Sequence, residues 1–405
     1  MLFGLAWRNV WRNRKRSLVI MTAIALGLSG GLFAVGVFVG IAESMVDSAI
    51  DRNLAHLQLH SHAYKANAVI NNDLPNAGLL IDSLKQLRTV RGVSGRGVFD
   101  GMASSPTANT GVQIIAVNPQ DEAAVSSIGR KINEGTYFEE VRQNPVLVGR
   151  KLAENLDLRL RSKLVLSFSG KDGSIIFVAC RVAGIFETES SLFDGGTVYL
   201  RHEELTGLTG GEKLVHEVAI RLQSAEQVSE TLASVSVMFP NVAVESWKDL
   251  APELKLSAEL TGVTMLFFLG IILFALLFGI TNTMLMSVMD RVREFGVLMA
   301  IGMKRARVFN LIVLETLILS LTGGVIGGIV GALIVRTFAS VGIDLSAFAD
   351  GLSAYGISAV LYPFVPGEIY LQLSFLVIVT AVVAAVYPGF KATQMKPARA
   401  IRAYT

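Results

Sequence analysis

Side chains suited to catalysis are few in this sequence of 405 residues. The sequence contains neither the Gly-x-x-x-x-Gly-Lys-Ser/Thr segment that cradles the phosphates of ATP nor a His-Glu-x-x-His zinc helix. The nearest match to the first motif, Ser-Gly-Lys-Asp-Gly-Ser at 169–174, lacks the earlier glycine and a strand leading into a helix. We therefore assign no catalytic residue and expect no cofactor to be bound directly by this chain.

Three of the five histidines lie close together in the segment "HLQLHSHAY". Strand alternation places His56, His60 and His62 on one face with Gln58, and imidazoles are common metal ligands. Same-face neighbours on a strand are about 6.6–7 Å apart, which is long for chelation by one strand alone. The favoured interpretation is a solvated polar face, and no metal site is predicted.

Glu315 and Asn282 are the two polar side chains singled out within the long apolar runs of this sequence. Glu315 is about one turn into such a run, and a carboxylate inside a membrane is costly and often functional. We expect an ion pair with Lys304, Arg305 or Arg307; proton coupling is the alternative, although it usually needs more than one buried acid. Asn282 either forms a hydrogen bond between helices or lines a path, and packing is the favoured role.

Four long apolar segments hold these residues and dominate the composition. The chain is 52% apolar and 17% charged, with a mean hydropathy of +0.52. Each run reaches about the twenty residues that a helix needs to cross a bilayer. The first run is too long for a signal peptide and has no convincing cleavage site, so it is predicted to be an uncleaved anchor. The predicted transmembrane helices are 18–42, 262–289, 311–335 and 371–390.

Basic residues beside these runs predict the orientation. They concentrate in 1–17, in 290–310 and in the tail 391–405, whereas the loop 336–370 is mostly acidic. Because cytoplasmic segments are enriched in Lys and Arg, both termini are expected in the cytoplasm and residues 43–261 outside. The net charge of +3 comes largely from these flanking residues, so no nucleic-acid partner is expected.

The segments outside the membrane have their own patterns. Residues 43–261 mix strand and helix signals, including a hairpin that turns at Lys171-Asp172-Gly173, and predict an α+β domain. Its only cysteine, Cys180, is assigned to packing. In 1–17, Phe3, Trp7, Val10 and Trp11 predict an amphipathic interfacial helix, or else the segment is only a topology signal. A short amphipathic helix is expected within 336–370.

The segment 290–310 is too apolar for an ordinary loop and too charged for a span. Val292, Phe295, Met299 and Met303 recur at helical spacing, which indicates a helix that packs against a partner. In the third run, glycines recur every four residues, and small residues at that spacing allow close helix packing in lipid. These glycines form two predicted packing ridges: Gly323, Gly327 and Gly331, and Gly324 and Gly328.

This plan and its motifs resemble the FtsX-like permeases, the membrane subunits of type VII ABC systems. The similarity lies in "LAWRNVWRNRKRS", "NTMLMSVMDRVREFGVLMAIGMKRARV", "ETLILSLTGGVIGGIVGA" and "AAVYPGFKATQMKPARAIR". "GIDLSAF" and "HLQLH" look most like the Lol-type lipoprotein-releasing permeases. The resemblance implies a four-helix membrane protein with a large α+β periplasmic domain between helices 1 and 2, in the bacterial inner membrane.

The resemblance also implies partners and a coupling segment. Such permeases pair with a second permease copy or paralogue and bind a cytoplasmic ABC ATPase dimer that holds ATP and Mg. The implied function is mechanotransmission, with lipoprotein cargo and a periplasmic chaperone or adaptor; tripartite efflux and regulation of a cell-wall hydrolase are the alternatives. The implied ATPase-coupling residues are Arg293, Glu294, Phe295, Gly296, Met299, Ala300 and Gly302.

Overall fold

A computed structural model describes residues 2–12, 14–139, 141, 143–209, 211 and 213–394. Most of the predicted tail 391–405 lies outside the described residues. By its internal contacts the chain forms two compact units. The helical unit contains 1–42, 258–344 and 360–405, and the α/β unit contains 43–257 and 345–359.

The helices are α1 (Leu2–Arg12), α2 (Arg14–Ala49), α3 (His62–Ala66), α4 (Ala77–Lys85), α5 (Pro119–Val125), α6 (Arg150–Asn155), α7 (Ser191–Gly196), α8 (His202–Leu208), α9 (Val228–Met238), α10 (Trp247–Leu250), α11 (Pro252–Asp290), α12 (Val292–Ala300), α13 (Arg305–Val341), α14 (Ala349–Ser353) and α15 (Gly367–Thr393). A π-helical turn, Ile50–Leu54, extends α2. Short 3₁₀ turns occur at Ile128–Arg130, Ala225–Gln227 and Ser346–Phe348.

The strands are β1 (Leu57–His60), β2 (Val90–Ser104), β3 (Asn109–Val117), β4 (Ile132–Gly135), β5 (Pro145–Gly149), β6 (Lys163–Ser169), β7 (Ile175–Phe186), β8 (Thr197–Arg201), β9 (Glu217–Leu222), β10 (Ala243–Ser246), β11 (Ile343–Asp344) and β12 (Val360–Leu361).

Four helices of the described chain are long and apolar enough to cross a membrane: α2, α11, α13 and α15. Each extends beyond its predicted span at both ends. The prediction of four spans with a large mixed domain between the first and second is confirmed. Their apolar residues pack into clusters within the helical unit, and many others remain exposed, as expected for helices that face lipid.

The amphipathic N-terminal segment forms α1, and the apolar residues of its predicted face differ in burial. Val10 and Ala6 are buried in an apolar cluster of the helical unit. Phe3, Trp7 and Trp11 are exposed instead. The predicted amphipathic helix is therefore present: its small side chains pack against the protein, and the aromatic ones of the same broad face point outward.

The predicted helix 290–310 is interrupted. Helix α12 ends at Ala300, and Gly302 has φ +101, a left-handed conformation that glycine adopts without strain. Lys304 is then extended before α13 begins. The break separates a nine-residue helix from the third span, so Gly302 serves as a turn residue.

The α/β unit is built on a ten-stranded sheet with the order β10-β1-β9-β2-β3-β8-β5-β7-β4, in which β6 pairs with β2 and β7. Most pairs are antiparallel; β3–β8 and β5–β7 are parallel. The β6–β7 hairpin turns at 170–174, as the sequence predicts. Cys180 is buried in the core beneath this sheet.

The histidine-containing strand β1 is not solvated. It lies between β9 and β10, and the side chains of Gln58 and His60 are buried. His56 precedes the strand and its Nδ1 accepts a hydrogen bond from the amide of Leu222. Burial, together with the charge of Arg221, lowers the pKa of His56 to about 4. The solvated polar face was therefore a wrong interpretation.

The loop 336–370 contains the expected short helix, α14, preceded by a 3₁₀ turn. Residues 345–359 belong to the α/β unit, and the amide of Leu345 donates a hydrogen bond to the carbonyl of Ala359 at 2.7 Å. Phe348 and Tyr355 are exposed.

Candidate coupling site

The segment between α11 and α13 is held by a network of charged side chains within the helical unit. Arg291 interrupts the helical path with φ −108, and its guanidinium is buried. Its Nη1 donates to both carboxylate oxygens of Glu315, at 3.1 and 2.9 Å. Its Nε donates to Glu294 Oε2 at 2.8 Å, and the group lies 5.1 Å from the ring centre of Phe295.

Helix α1 completes this network from the other side. Asn9 Nδ2 donates to Glu315 Oε1 at 2.6 Å. Arg12 Nη2 donates to both oxygens of Glu294, at 2.5 and 2.6 Å. The network therefore joins α1, α12 and α13 through Arg291, which bonds carboxylates on two of them.

The ion pairs in this network shift the pKa values of Arg291 and Glu294 in favour of their charged forms. Burial alone would lower the pKa of the Arg291 guanidinium, but the adjacent Glu315 and Glu294 raise it overall. Partial burial would raise the pKa of Glu294, but hydrogen bonds from Arg291 and Arg12 lower it overall. Both side chains are thus held in their charged forms, because each ion has opposite charges as its nearest neighbours.

The predicted partners of Glu315 were wrong. Arg305 and Arg307 begin α13 and are exposed, and Glu315 is eight to ten residues further along the same helix. At 1.5 Å per residue, that separation is about 12–15 Å, too far for a side-chain ion pair along one helix. The ion-pair interpretation holds, with Arg291 as the partner.

The proposed coupling residues divide between the two faces of α12. Phe295 is 0% exposed and belongs to a buried apolar cluster of the helical unit, and Met299 packs against this cluster. Gly296 is also buried. Arg293, Glu294, Ala300 and Gly302 are exposed. The structure therefore assigns Phe295 and Met299 to packing within the chain, which corrects the expectation that their side chains contact another protein.

The two predicted glycine ridges differ in how closely they approach a neighbouring helix. A Cβ atom on Gly323 would come within 2.9 Å of the Met21 carbonyl oxygen on α2, and one on Gly327 within 2.7 Å of the Ala25 backbone. Gly331 lies similarly close to Leu32 and Ser29. By contrast, Gly324 has only an ordinary contact to Val377, and Gly328 has open space. The first ridge packs against α2 and the second does not.

Asn282 is exposed on α11 and has no hydrogen-bond partner in the described part of the chain. The residues that complete the network, Asn9, Arg12 and Arg291, were not singled out as site residues from the sequence. An arginine directly after a transmembrane run, with an intramembrane glutamate on the next span, is the signal that identifies the pair. No group of three or more His, Cys, Asp or Glu among the described residues is placed to hold a metal.

Comparison with known proteins decides the family. Residues 17–236, more than half of the chain, match the MacB-like periplasmic core domain, and residues 266–397 match the FtsX-like permease C-terminal domain. The chain belongs to the MacB-type family of FtsX-like permeases. The resemblance predicted from the sequence is confirmed at this level, and the Lol-type assignment stays a prediction.

Relatives of this MacB-type permease include the macrolide export ATP-binding/permease protein MacB of Escherichia coli K12, which is 23% identical over 82% of this chain and 52% of its own length. The chain spans about half the length of the curated relatives it matches. Similar solved structures are the extracellular domain of the noncanonic ABC-type transporter YknZ from Gram-positive bacteria (15% identity, TM-score 0.33, 47% of this chain and 99% of that one) and the periplasmic region of MacB from Actinobacillus actinomycetemcomitans (8%, 0.35, 49% and 92%).

Proposed function

We propose that this MacB-type permease is a non-catalytic subunit that transmits force from a separate cytoplasmic ABC ATPase dimer to its periplasmic domain. ATP and Mg would be bound by the ATPase, and the permease would work with a second copy or a paralogue. Its termini would be cytoplasmic and its α/β unit periplasmic. The observation that carries the proposal is that α12 is ion-paired to its own chain while another face of it is exposed.

The exposed face supplies the proposed ATPase contact. Arg293, Val297, Ala300 and Ile301 follow the i, i+4, i+7, i+8 spacing of one helix face. Val297 and Ile301 are 42% and 79% exposed. Apolar side chains on an otherwise charged surface are typical of the centre of a protein interface. A force applied there would reach α1 and α13 through the network of Arg291, because the ion pairs join those helices to α12.

We further propose lipid-anchored proteins as the cargo. A groove of about 550 Å³ lies between α2 and α11 within the helical unit. Thr283 supplies the only polar side chain among its sixteen described lining residues, and glycines and alanines make up much of the α2 side. A groove of this composition suits an acyl chain, whereas a polar drug needs several positioned polar groups. A periplasmic chaperone or adaptor would then receive the extracted lipoprotein.

Macrolide efflux is the second candidate, and the names of the relatives favour it. The curated relatives that cover 82% of this chain are described as macrolide export proteins. Regulation of a cell-wall hydrolase, without cargo, is the third candidate. The three share the ATPase contact and differ in what occupies the groove.

Site-specific photocrosslinking tests the ATPase contact. Benzoylphenylalanine placed at Val297 or Ile301 is expected to form an adduct with an ATP-binding protein, identified by mass spectrometry. The same amino acid at Val341, which is 72% exposed at the other end of α13, serves as the matched control. Adducts at Val341 alone, or none with an ATP-binding protein, would show that the docking face is misassigned.

The same method separates the cargo classes. In cells given labelled palmitate, a photocrosslinker at Ala275 in the groove is expected to yield protease-sensitive adducts that carry the label. Val325 on α13, 60% exposed and outside the groove lining, is the control. Adducts that a macrolide displaces would favour efflux, and the absence of any cargo adduct would favour the regulatory candidate.

A further inference from the structure

An open cavity of about 610 Å³ lies beside the junction of α1 and α2 and is lined by five basic and two acidic side chains. The two acids are already paired, Asp290 with Arg16, and Glu294 with Arg12 and Arg291. Arg14 and Lys15 also line the cavity, and neither makes an ion pair within the described part of the chain. The cavity therefore has a surplus of positive charge concentrated on these two side chains.

The position of this charge along α2 matches the depth of lipid phosphates. Arg14 and Lys15 are one helical turn before Leu18 and Val19, which begin the apolar run and are each 61% exposed. Four residues of helix span about 6 Å. Each headgroup layer is roughly 5–8 Å thick, from a bilayer of about 40–45 Å with a hydrocarbon core of about 30 Å. The surface of α2 that faces lipid at Leu18 and Val19 thus continues, one turn earlier, to Arg14 and Lys15.

Helix α1 borders the cavity with a surface suited to the same interface. Phe3, Trp7 and Trp11 are exposed, and the two tryptophan rings contact edge to face at 5.9 Å. Tryptophans are enriched at the headgroup level because their rings have an apolar body and a polar N–H. The hydroxyl of Ser17 donates to the carbonyl of Val10 at 2.6 Å and fixes the junction of the two helices.

We propose that this cavity binds the headgroup phosphate of an anionic phospholipid through Arg14 and Lys15, with an acyl chain along Leu18 and Val19. Basic pockets at the ends of transmembrane helices recognise anionic headgroups in this way. The assignment to the cytoplasmic leaflet rests on the orientation given in the proposed function. Because Arg12 and Arg16 share the cavity and pair with Glu294 and Asp290, the lipid is bound next to the coupling site.

Native mass spectrometry of the full chain in detergent tests the site directly. With phosphatidylglycerol and phosphatidylcholine of identical acyl chains at equal concentration, preferential retention of phosphatidylglycerol is expected. Replacing Arg14→Gln and Lys15→Gln together should lower that retention roughly tenfold or more, because basic side chains beside an anionic surface each contribute several-fold. The charge-matched control, Arg305→Gln with Arg307→Gln, removes two exposed basic side chains at the start of α13 and should change retention less than about twofold.

The remaining outcomes separate the alternatives. The doubly conservative change Arg14→Lys with Lys15→Arg should keep retention, which excludes misfolding as the cause of a loss. Equal loss in the control pair would mean diffuse attraction and would overturn the proposal, as would displacement of the lipid by millimolar inorganic phosphate. The readout needs no ATPase and no cargo, so a negative result here is distinguishable from failure of the coupling proposal.

Discussion

At the level of single residues, the coupling site depends on a buried ion pair. The side chains of Arg291 and Glu315 are 9% and 6% exposed, and both oxygens of the carboxylate accept from the guanidinium. Two charges buried together are tolerated because each satisfies the other, and removal of one leaves an uncompensated charge. The pair therefore matters more for holding α12 in one place than for net stability.

A double-substitution cycle tests this view. Arg291→Met and Glu315→Leu should each destabilise the protein by about 3–5 kcal/mol, whereas the double variant should recover most of that loss, because no unpaired charge remains. The midpoint of thermal unfolding in detergent is the measurement. Arg293→Met, at the exposed neighbouring arginine, is the control and should change little. A double variant as unstable as the single ones would contradict the assigned role of the pair.

Several residue-level predictions failed because they needed tertiary information. The sequence shows that Glu315 is near the start of a span but not which basic side chain of the connecting segment reaches it, so the residues nearest in sequence are predicted instead of Arg291. His60 is buried because β1 is flanked by β9 and β10, a pairing that joins residues more than 150 positions apart. Phe295 has the spacing of a contact residue, but spacing alone does not distinguish a partner from the same chain.

At the level of elements, close backbone approach explains the packing of α2 against α13. Gly323, Gly327 and Gly331 each lie where a Cβ atom would come within about 3 Å of α2. In lipid, helices associate through van der Waals contact more than through the hydrophobic effect. Because glycine has no side chain, the two helix backbones can approach closely, and more of their atoms come into contact. The ridge therefore fixes the distance between the first and third spans.

Adjacent glycines provide a matched test of this packing. Gly327→Ala would place a methyl group 2.7 Å from the Ala25 backbone and should destabilise the protein by about 1–3 kcal/mol. Gly328→Ala meets open space and should be neutral or stabilising by up to about 1 kcal/mol, since alanine has the higher helix propensity. Thermal unfolding in detergent measures both. Equal effects at the two positions would show that the ridge is not the packing face.

Elements were predictable from the sequence where one signal dominated. Continuous apolar runs predicted all four spans, alternation predicted β1, and the hairpin signal predicted β6 and β7. Strand β2 was missed although it has fifteen residues and pairs with three others. Its sequence contains Gly92, Gly95, Gly97 and Gly101, and glycine weakens any strand signal. Each of these glycines lies against another element, where a side chain would clash, so long-range packing explains them.

At the level of the whole molecule, each unit contains a buried arginine with ion pairs, and in the α/β unit this arginine binds the π-helical turn that follows α2. The carbonyl of Asp51 accepts from the amide of Ser127 at 2.7 Å, and Arg96 Nη1 donates to the carbonyl of Asn53 at 2.5 Å. Arg96 is itself paired with Glu122 and Glu217 in the sheet. Burial would lower the pKa of Arg96, but the two carboxylates raise it. Ion pairs of a buried arginine thus occur in both units, at Arg291 in the helical unit and at Arg96 in the α/β unit.

The transmission proposal predicts that ATPase coupling can be lost without loss of folding. Val297→Glu with Ile301→Glu places two charges on the exposed face of α12, where an apolar contact centre would exclude them, so ATPase stimulation should fall at least about tenfold. The unfolding midpoint should stay unchanged, because neither side chain is buried. Val341→Glu, at an apolar residue that is 72% exposed on the opposite end of α13, should leave both quantities unchanged. The measurement is ATP hydrolysis by the ATPase reconstituted with each permease variant. Normal stimulation in the double variant would mean that the ATPase contacts another surface, whereas a lowered unfolding midpoint would mean that these side chains pack within the chain.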